Sequence, residues 1–147
     1  MAIKIPASFF KADEVLFIGY SRKNLAYCTA VREAFESRGT RVFPVNPNQG
    51  SFDVKVFAGM DEVPARPELA YVLTSKARNE GLPGKLASRG VKRVLFNSKL
   101  SADAALLAEC ERLGMQTAVA CPLMSLGKGM HRFHGWLSGV ERTDAAR

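Results

Sequence analysis

Short apolar runs alternate along this chain with stretches whose apolar residues recur at helical spacing. Such alternation favours βαβ units, and runs that are apolar throughout are typical of parallel strands covered on both faces. The pattern therefore predicts an α/β fold, a three-layer Rossmann-like domain with a doubly wound parallel sheet of about five strands. The five runs are Glu14–Gly19, Arg41–Asn46, Leu69–Thr74, Lys92–Asn97 and Gln116–Cys121.

Helices are predicted between these runs, where turn and capping residues mark their ends. The main ones are Asn24–Arg38, Asn79–Ser88 and Ala102–Leu113, the last capped by Ser101. The whole chain, 1–147, is interpreted as a single domain, with 139–147 as a frayed tail. Minor elements are expected as helical segments at Pro6–Ala12, Met60–Val63 and Met130–Leu137 and as an edge strand at Lys55–Phe57.

Composition and charge narrow the class of protein. Of the 147 residues, 47% are hydrophobic and 24% are charged, which excludes a disordered chain, and the formal charge of +7 favours an anionic partner. The cations are scattered, so no nucleic-acid-binding tail is predicted. No apolar run reaches the roughly 18–20 residues of a membrane span, and no export signal is recognised, so we expect a cytoplasmic protein without membrane contact.

The predicted carboxyl ends of the strands carry small polar residues and cations but no carboxylate. Ligands of open α/β sheets bind at this edge, and helix N-termini there attract phosphate. A nicotinamide dinucleotide is disfavoured, because the first turn has a single glycine and Asn46 replaces the acid that would hold a ribose. The candidate binding residues are Gly19, Tyr20, Ser21, Arg22, Lys23, Asn46, Pro47, Thr74, Ser75, Lys76, Asn97, Cys121 and Pro122.

Cysteines and histidines add little evidence for catalysis. Cys28 and Cys110 lie at apolar helix positions and are expected in the core, whereas Cys121 is either a reactive thiol or an inert buried one. His131 and His134 share a helix face but have no further ligands nearby, so no metal site is predicted. Phe133 and Trp136 in the tail are expected to pack on the sheet or to form a dimer contact.

Four segments together resemble a known family. They are VLFIGYS at Val15–Ser21, RVFPVNP at Arg41–Pro47, the connection Ala58–Pro64, and GMQTAVACP at Gly114–Pro122. They resemble the small CoA-binding domain proteins, stand-alone relatives of the CoA-binding domain of the succinyl-CoA synthetase alpha subunit, over about residues 7–126. The chain departs from the family pattern at Tyr20, where alanine is usual, at Thr74, at Asn48 and at Leu95–Ser98.

The resemblance implies CoA or an acyl-CoA as the ligand and assigns roles along it. Gly19 and Ser21 would line the phosphate turn, and Arg22 and Lys23 would neutralise charge. The remaining positions would follow the ligand, with Asn46 and Pro47 at the adenosine, Thr74 and Ser75 at its middle, Lys76 near a phosphate, and Asn97, Cys121 and Pro122 towards the pantetheine end.

No constellation of acid, base and nucleophile falls on the predicted strand ends, so the sequence favours a binding domain over an enzyme. The leading hypothesis is a non-catalytic carrier, sensor or regulatory module for CoA, with a homodimer or a partner protein as a further expectation. Two alternatives stay open. One is a protein-interaction domain that has lost its ligand, suggested by Tyr20 in the pocket and by the Trp and Gly that the fourth strand lacks at Leu95–Ser98. The other is a thiol-dependent enzyme that uses Cys121.

Overall fold

A computed structural model describes residues 5–126, and within them five parallel strands form one sheet with helices on both faces. The α/β, doubly wound architecture predicted from the sequence is confirmed. The spatial order is β2-β1-β3-β4-β5, so the order reverses between β1 and β3. The strands are β1 (Glu14–Ile18), β2 (Arg41–Val45), β3 (Leu69–Val72), β4 (Arg93–Phe96) and β5 (Gln116–Val119).

Within residues 5–126, the helices that cover the sheet are α1 (Leu25–Glu36), α2 (Leu82–Ser88), α3 (Ala104–Arg112) and α4 (Pro122–Leu126). Because side chains alternate across a strand, successive residues of each strand enter opposite cores. Phe17 and Tyr71 pack on the side of α1 and α4, where Val31 and Phe35 meet them. The other face packs against α2 and α3, and its core contains Leu16, Val72, Val94, Leu86 and Cys110.

Several predicted boundaries shift for local reasons. The second helix starts at Leu82 rather than Asn79, because Gly81 adopts a left-handed conformation with φ of 79° and Lys76–Arg78 forms a separate 3-10 turn. The third helix is capped by Asp103, whose carboxylate accepts from the Leu106 N–H, and the prediction that Ser101 caps it is wrong. Ser101 is buried, and its hydroxyl faces the Leu73 carbonyl at 3.4 Å.

The long connection between β2 and β3 contains less regular structure than predicted. The expected strand at Lys55–Phe57 reduces to one parallel bridge, in which Phe57 pairs with Val45 at the outer edge of β2. The helical segment predicted at Met60–Val63 is a 3-10 helix at Met60–Glu62. The segment predicted at Pro6–Ala12 is a 3-10 helix at Ala7–Phe10. The predictions for Met130–Leu137 and for the tail lie outside the described residues.

Candidate functional site

A cleft of about 760 Å³ opens at the carboxyl ends of β1, β2 and β3, on the α2 side of the sheet. This is the place where the strand order reverses, which is where open α/β sheets bind ligands. Three structural parts surround it: the β1–α1 turn, the segment after β2 together with residues 58–61, and the wall formed by residues 73–79 and α2. The cleft therefore has the location that the sequence pattern indicated.

Gly19 shapes the first turn of the cleft. Its φ of +95° is a conformation that side chains with a Cβ rarely adopt, and an added Cβ would lie 2.8 Å from Thr74 Cγ2. Its N–H donates to the Val45 carbonyl at 3.0 Å, which ties β1 to the end of β2. The glycine is thus required both by the backbone conformation and by the close approach of β3.

The start of α1 lies at the cleft and provides an environment that favours anions. The first N–H groups of a helix have no partners within the helix, and Asn24, which precedes α1, makes no side-chain capping bond to them. Asn24, Ser21, Arg22 and Lys23 all line the cleft. Ser21 Oγ accepts from the Lys23 N–H at 3.1 Å, which folds this turn back on itself. The helix dipole and two cations favour negative charge here.

Arg22 is held at the rim of the cleft by an aromatic ring. Its guanidinium carbon lies 5.6 Å from the centre of the Phe52 ring, a distance suited to a cation–π contact. Phe52 in turn packs on the Tyr20 ring at 6.1 Å between centroids. The contact orients Arg22 while leaving the side chain exposed to a ligand.

The segment after β2 is ordered by Asn46. Its side-chain amide donates to the Tyr20 carbonyl and its Oδ1 accepts from the Asn48 N–H, both at 2.8 Å. These bonds fix the position of Pro47, which lines the cleft with Asn46. Because both ends of the Asn46 amide are engaged within the protein, this residue shapes the wall beside a ligand.

The opposite wall depends on Asn79, which is buried. Its Nδ2 donates to the carbonyls of Thr74 and Ser101 at 2.9 and 2.7 Å, and its Oδ1 accepts from the Thr74 hydroxyl. This network fixes the turn after β3 and sets the position from which α2 continues. Thr74, Ser75 and Arg78 face the cleft from this turn.

Positive charge predominates in the cleft. Five cations line it against one carboxylate, that of Asp61. The residues that follow the strands include cations and no carboxylate, as the sequence indicated. The carboxylate of the cleft, Asp61, belongs to the connection between β2 and β3. An anionic ligand is the class that this charge distribution favours. The five cations are Arg22, Lys23, Arg78, Lys85 and Arg89.

Eight of the thirteen candidate residues named from the sequence line this cleft, and five do not. The eight come from the ends of β1, β2 and β3, and they are Gly19, Ser21, Arg22, Lys23, Asn46, Pro47, Thr74 and Ser75. Lys76 is exposed beside the cleft, and its N–H donates to the Leu100 carbonyl. The other four, Tyr20, Asn97, Cys121 and Pro122, do not line the cleft.

The side chain of Tyr20 does not fill the pocket, and that expectation is wrong. The ring is fully buried against Phe17 on the α1 side of the sheet. Its hydroxyl donates to the Asp53 carboxylate at 2.9 Å, and Thr29 and Arg32 also bond this carboxylate, at 2.7 and 3.0 Å. Burial alone would raise the pKa of Asp53, but these three hydrogen bonds outweigh it and hold that pKa below its usual value.

Asn97 and Cys121 belong to a hydrogen-bonded cluster at the ends of β4 and β5. Asn97 Oδ1 accepts from the hydroxyls of Tyr27 and Tyr71 at 2.8 and 2.7 Å. Cys121 Sγ lies 2.8 Å from Tyr27 Oη, a hydrogen-bonding distance at which either atom can be the donor. Burial is the main cause that raises the pKa of both tyrosines. We call these four residues the tyrosine cluster.

The other two cysteines are buried, as the sequence predicted, and Cys110 and Cys28 are both free thiols. Burial raises the pKa of Cys110 to about 11, so it stays protonated at neutral pH. The residues that the structure describes contain no group of three His, Cys, Asp or Glu side chains that suits a metal ion. His131 and His134 lie outside these residues.

A second groove, of about 1060 Å³, lies at the amino ends of the strands. Its charges are mixed, since Lys11, Arg38 and Arg66 line it together with Asp13, Glu14 and Glu68. Arg93 also lines it, but its Nη1 already donates to the carbonyls of residues 8, 9 and 11. The balance of charge and the position at the wrong edge of the sheet make this groove the weaker candidate.

The sequence did not indicate that α2 or the connection at residues 58–61 lines the cleft. Lys85, Ser88 and Arg89 follow helical spacing on one face of α2, and such a polar face is ordinarily solvated. This spacing could have pointed to a shared polar face in the sequence. That the face lies opposite the β1–α1 turn follows only from the order of the strands. No helix within residues 5–126 has the length and apolar character needed to cross a bilayer.

Comparison with known proteins defines the class. The family model described as the CoA binding domain matches residues 13–127, so the chain belongs to that family. This confirms the resemblance drawn from the four sequence segments. No curated protein matches the chain in sequence.

Solved structures share the fold at low sequence identity. A protein redesigned for binding aligns with a TM-score of 0.69 and 19% identity over 89% of this chain and 87% of its own. A hypothetical protein from Pyrococcus horikoshii OT3 aligns with a TM-score of 0.68 and 15% identity over 94% and 99%. A dinucleotide-forming acetyl-coenzyme A synthetase of Ca. Korarchaeum cryptofilum gives 0.61 and 17% over 76% of this chain and 26% of its own.

Proposed function

We propose that the cleft binds CoA or an acyl-CoA. The observation that carries the proposal is the excess of five cations over one carboxylate in a cleft at the reversal of strand order. CoA carries a diphosphate and a separate phosphate, and its adenine and pantetheine offer apolar surface. Membership in the CoA binding domain family supports the same ligand.

The start of α1 suits the diphosphate. The start of α1 offers N–H groups without partners in the helix and the positive end of the helix dipole, and Arg22 and Lys23 of the preceding turn add two cations. The apolar parts of the cleft lie next to it and suit the non-phosphate parts of the ligand; they include Ile18, Val45, Met60, Leu73 and Leu82. Site volumes of about 300–1,000 Å³ are usual for small-molecule ligands, and this cleft falls within them.

Binding without catalysis agrees best with the lining. Among the described residues, the cleft is lined by no histidine, cysteine, tyrosine or glutamate, and its only carboxylate is Asp61. Serines and lysines line it, but the Ser21 hydroxyl bonds a backbone N–H and the Ser88 hydroxyl a backbone carbonyl, and neither bonds a lysine amine. General acid–base or nucleophilic catalysis needs a positioned pair of such groups. We therefore favour a carrier, sensor or regulatory module.

The two alternatives have less support. The interaction-domain hypothesis rested on Tyr20 filling the pocket and on the departures at Leu95–Ser98. The Tyr20 ring lies on the other face of the sheet, and Leu95–Ser98 does not line the cleft. The thiol-enzyme hypothesis requires Cys121 beside the ligand, whereas its Sγ bonds Tyr27 in the tyrosine cluster and does not line the cleft.

Isothermal titration with CoA, dephospho-CoA, NAD and ATP tests the proposal. We expect heat with CoA and weaker binding of NAD and ATP. Lys23→Glu should weaken CoA binding about tenfold or more, since it reverses a charge beside the diphosphate. Lys92→Glu makes the same charge change on an exposed residue outside the cleft and serves as the control. Absence of heat with CoA at high micromolar concentration would overturn the proposal.

A further inference from the structure

The cations of the cleft fall into two groups on opposite sides. Arg22 and Lys23 belong to the β1–α1 turn. Arg78 and Lys85 belong to the segment that follows β3, in the 3-10 turn Lys76–Arg78 and in α2. A ligand with a single anionic centre would engage one of these groups and leave the other without a counter-charge.

The second group is built on a fixed frame. Lys85, Ser88 and Arg89 lie at positions i, i+3 and i+4 of α2 or directly after it, so they share one face. Leu82 and Leu86 anchor the helix in the core. Asn79, buried and fully hydrogen-bonded, fixes the turn from which Arg78 projects. The position of the wall is therefore set by the core and does not depend on a ligand.

Arg89 ties this wall to the neighbouring connection. Its Nη2 donates to the carbonyls of Val63 and Ala65, both at 2.9 Å. Its Nε is buried and has no hydrogen-bond partner among the described residues. The two bonds hold Arg89 against the connection that follows Asp61, and the residue also lines the cleft. We call Arg78, Lys85 and Ser88, with Arg89 behind them, the α2 wall.

We infer that the α2 wall is a second anion subsite, which binds the phosphate on the ribose of CoA. The inference rests on the proposed function. The β1–α1 turn has the helix start and suits the diphosphate, so the remaining phosphomonoester is left for the cations across the cleft. A phosphomonoester carries nearly two negative charges at neutral pH, which two cations and a hydroxyl match.

The subsite sets the specificity of the domain. Dephospho-CoA and NAD have the diphosphate but lack the ribose phosphomonoester, so they leave the α2 wall without a counter-ion. A charge-assisted hydrogen bond to this phosphate corresponds to about tenfold or more in affinity. The protein should therefore prefer CoA over dephospho-CoA.

Titration of CoA and dephospho-CoA into the wild type and into an Arg78→Gln/Lys85→Gln variant tests the inference. Both side chains are exposed, so the variant should keep the wild-type melting temperature. We expect the wild type to bind CoA about tenfold more tightly than dephospho-CoA. The variant should lose this preference, while its affinity for dephospho-CoA changes less than about twofold. Lys92→Gln, outside the cleft, is the matched control and should keep the preference.

The outcomes distinguish a failure of the second anion subsite from a failure of CoA binding itself. Equal wild-type affinities for CoA and dephospho-CoA, or an equal loss of both in the double variant, would overturn the second subsite and leave CoA binding intact. Absence of binding of either ligand to the wild type would overturn the proposed function and the subsite with it.

Discussion

The two halves of the carboxyl edge of the sheet differ although their sequences look alike. In both halves an apolar strand ends at a small polar residue. After β1, β2 and β3 these residues line an open cationic cleft, whereas after β4 and β5 Asn97 and Cys121 bond to Tyr27 and Tyr71. Strand order explains the difference, because a crevice forms only where neighbouring connections leave to opposite faces, between β1 and β3.

The largest effect is expected from a substitution at Gly19, in the half of the edge that forms the cleft. We expect Gly19→Ala to lower the free energy of unfolding by about 2 kcal/mol or more, because the residue needs φ of +95° and its Cβ would overlap Thr74. CoA affinity should fall as well, since the turn must move. Gly84→Ala is the matched control: Gly84 lies in α2 with no heavy atom within 4 Å of an added Cβ, so this change should stabilise slightly. Equal melting temperatures for the two variants would contradict the role of Gly19.

A smaller effect is expected behind the cleft, at Asp53. Its replacement by alanine removes the acceptor of the buried Tyr20 hydroxyl, while Arg32 keeps its bonds to Tyr20 and Glu36. The loss should cost about 1–3 kcal/mol of unfolding free energy. CoA affinity should fall modestly, because Phe52 then holds Arg22 less firmly. Denaturant unfolding and titration measure the two effects, and an unchanged stability would show that the network contributes nothing.

The same residue predicts a pH dependence. Since the folded-state pKa of Asp53 is lowered, its charged form stabilises the protein above the ordinary carboxyl pKa of about 3.9. This contribution is lost as the pH falls through the lowered folded-state pKa. The stability difference between wild type and Asp53→Asn should therefore be largest near neutral pH and shrink in acid. A difference that stays constant from about pH 7 to about pH 3 would contradict this assignment.

Tyr71→Phe tests the other half of the edge, where the tyrosine cluster lies at the ends of β4 and β5. Asn97 keeps its bond from Tyr27, so the loss of one buried hydrogen bond should cost about 1 kcal/mol, or a few degrees in Tm. CoA affinity should not change, because the tyrosine cluster does not line the cleft. A marked loss of affinity would mean that the ligand reaches β4 and β5.

The smallest effect is expected at Lys76. The sequence places it near a phosphate, but the structure leaves it outside the cleft lining while Arg78, two residues later, faces the cleft. Lys76→Gln should therefore change CoA affinity less than about twofold, since an exposed charge contributes little across solvent. A loss as large as that of Lys85→Gln would restore the prediction made from the sequence.

The fold could be predicted closely because each strand is a continuous apolar run and each main helix has its own periodicity. Errors arose where local signals compete, as at Gly81 or at Asp103 and Ser101, which both suit a cap. The site was predicted only in part. The strand ends indicated the β1–α1 turn, but Lys85 became visible as a lining residue only after strand order had placed α2 opposite that turn.

The buried position of Tyr20 links distant parts of the sequence. Its hydroxyl donates to the Asp53 carboxylate and accepts from Arg32 Nε, and Arg32 Nη2 pairs with the same carboxylate. A homologue with alanine at position 20 would have no reason to keep the other two. Substitutions at these three positions should therefore be inherited together, and any redesign of the first turn must treat them as one unit.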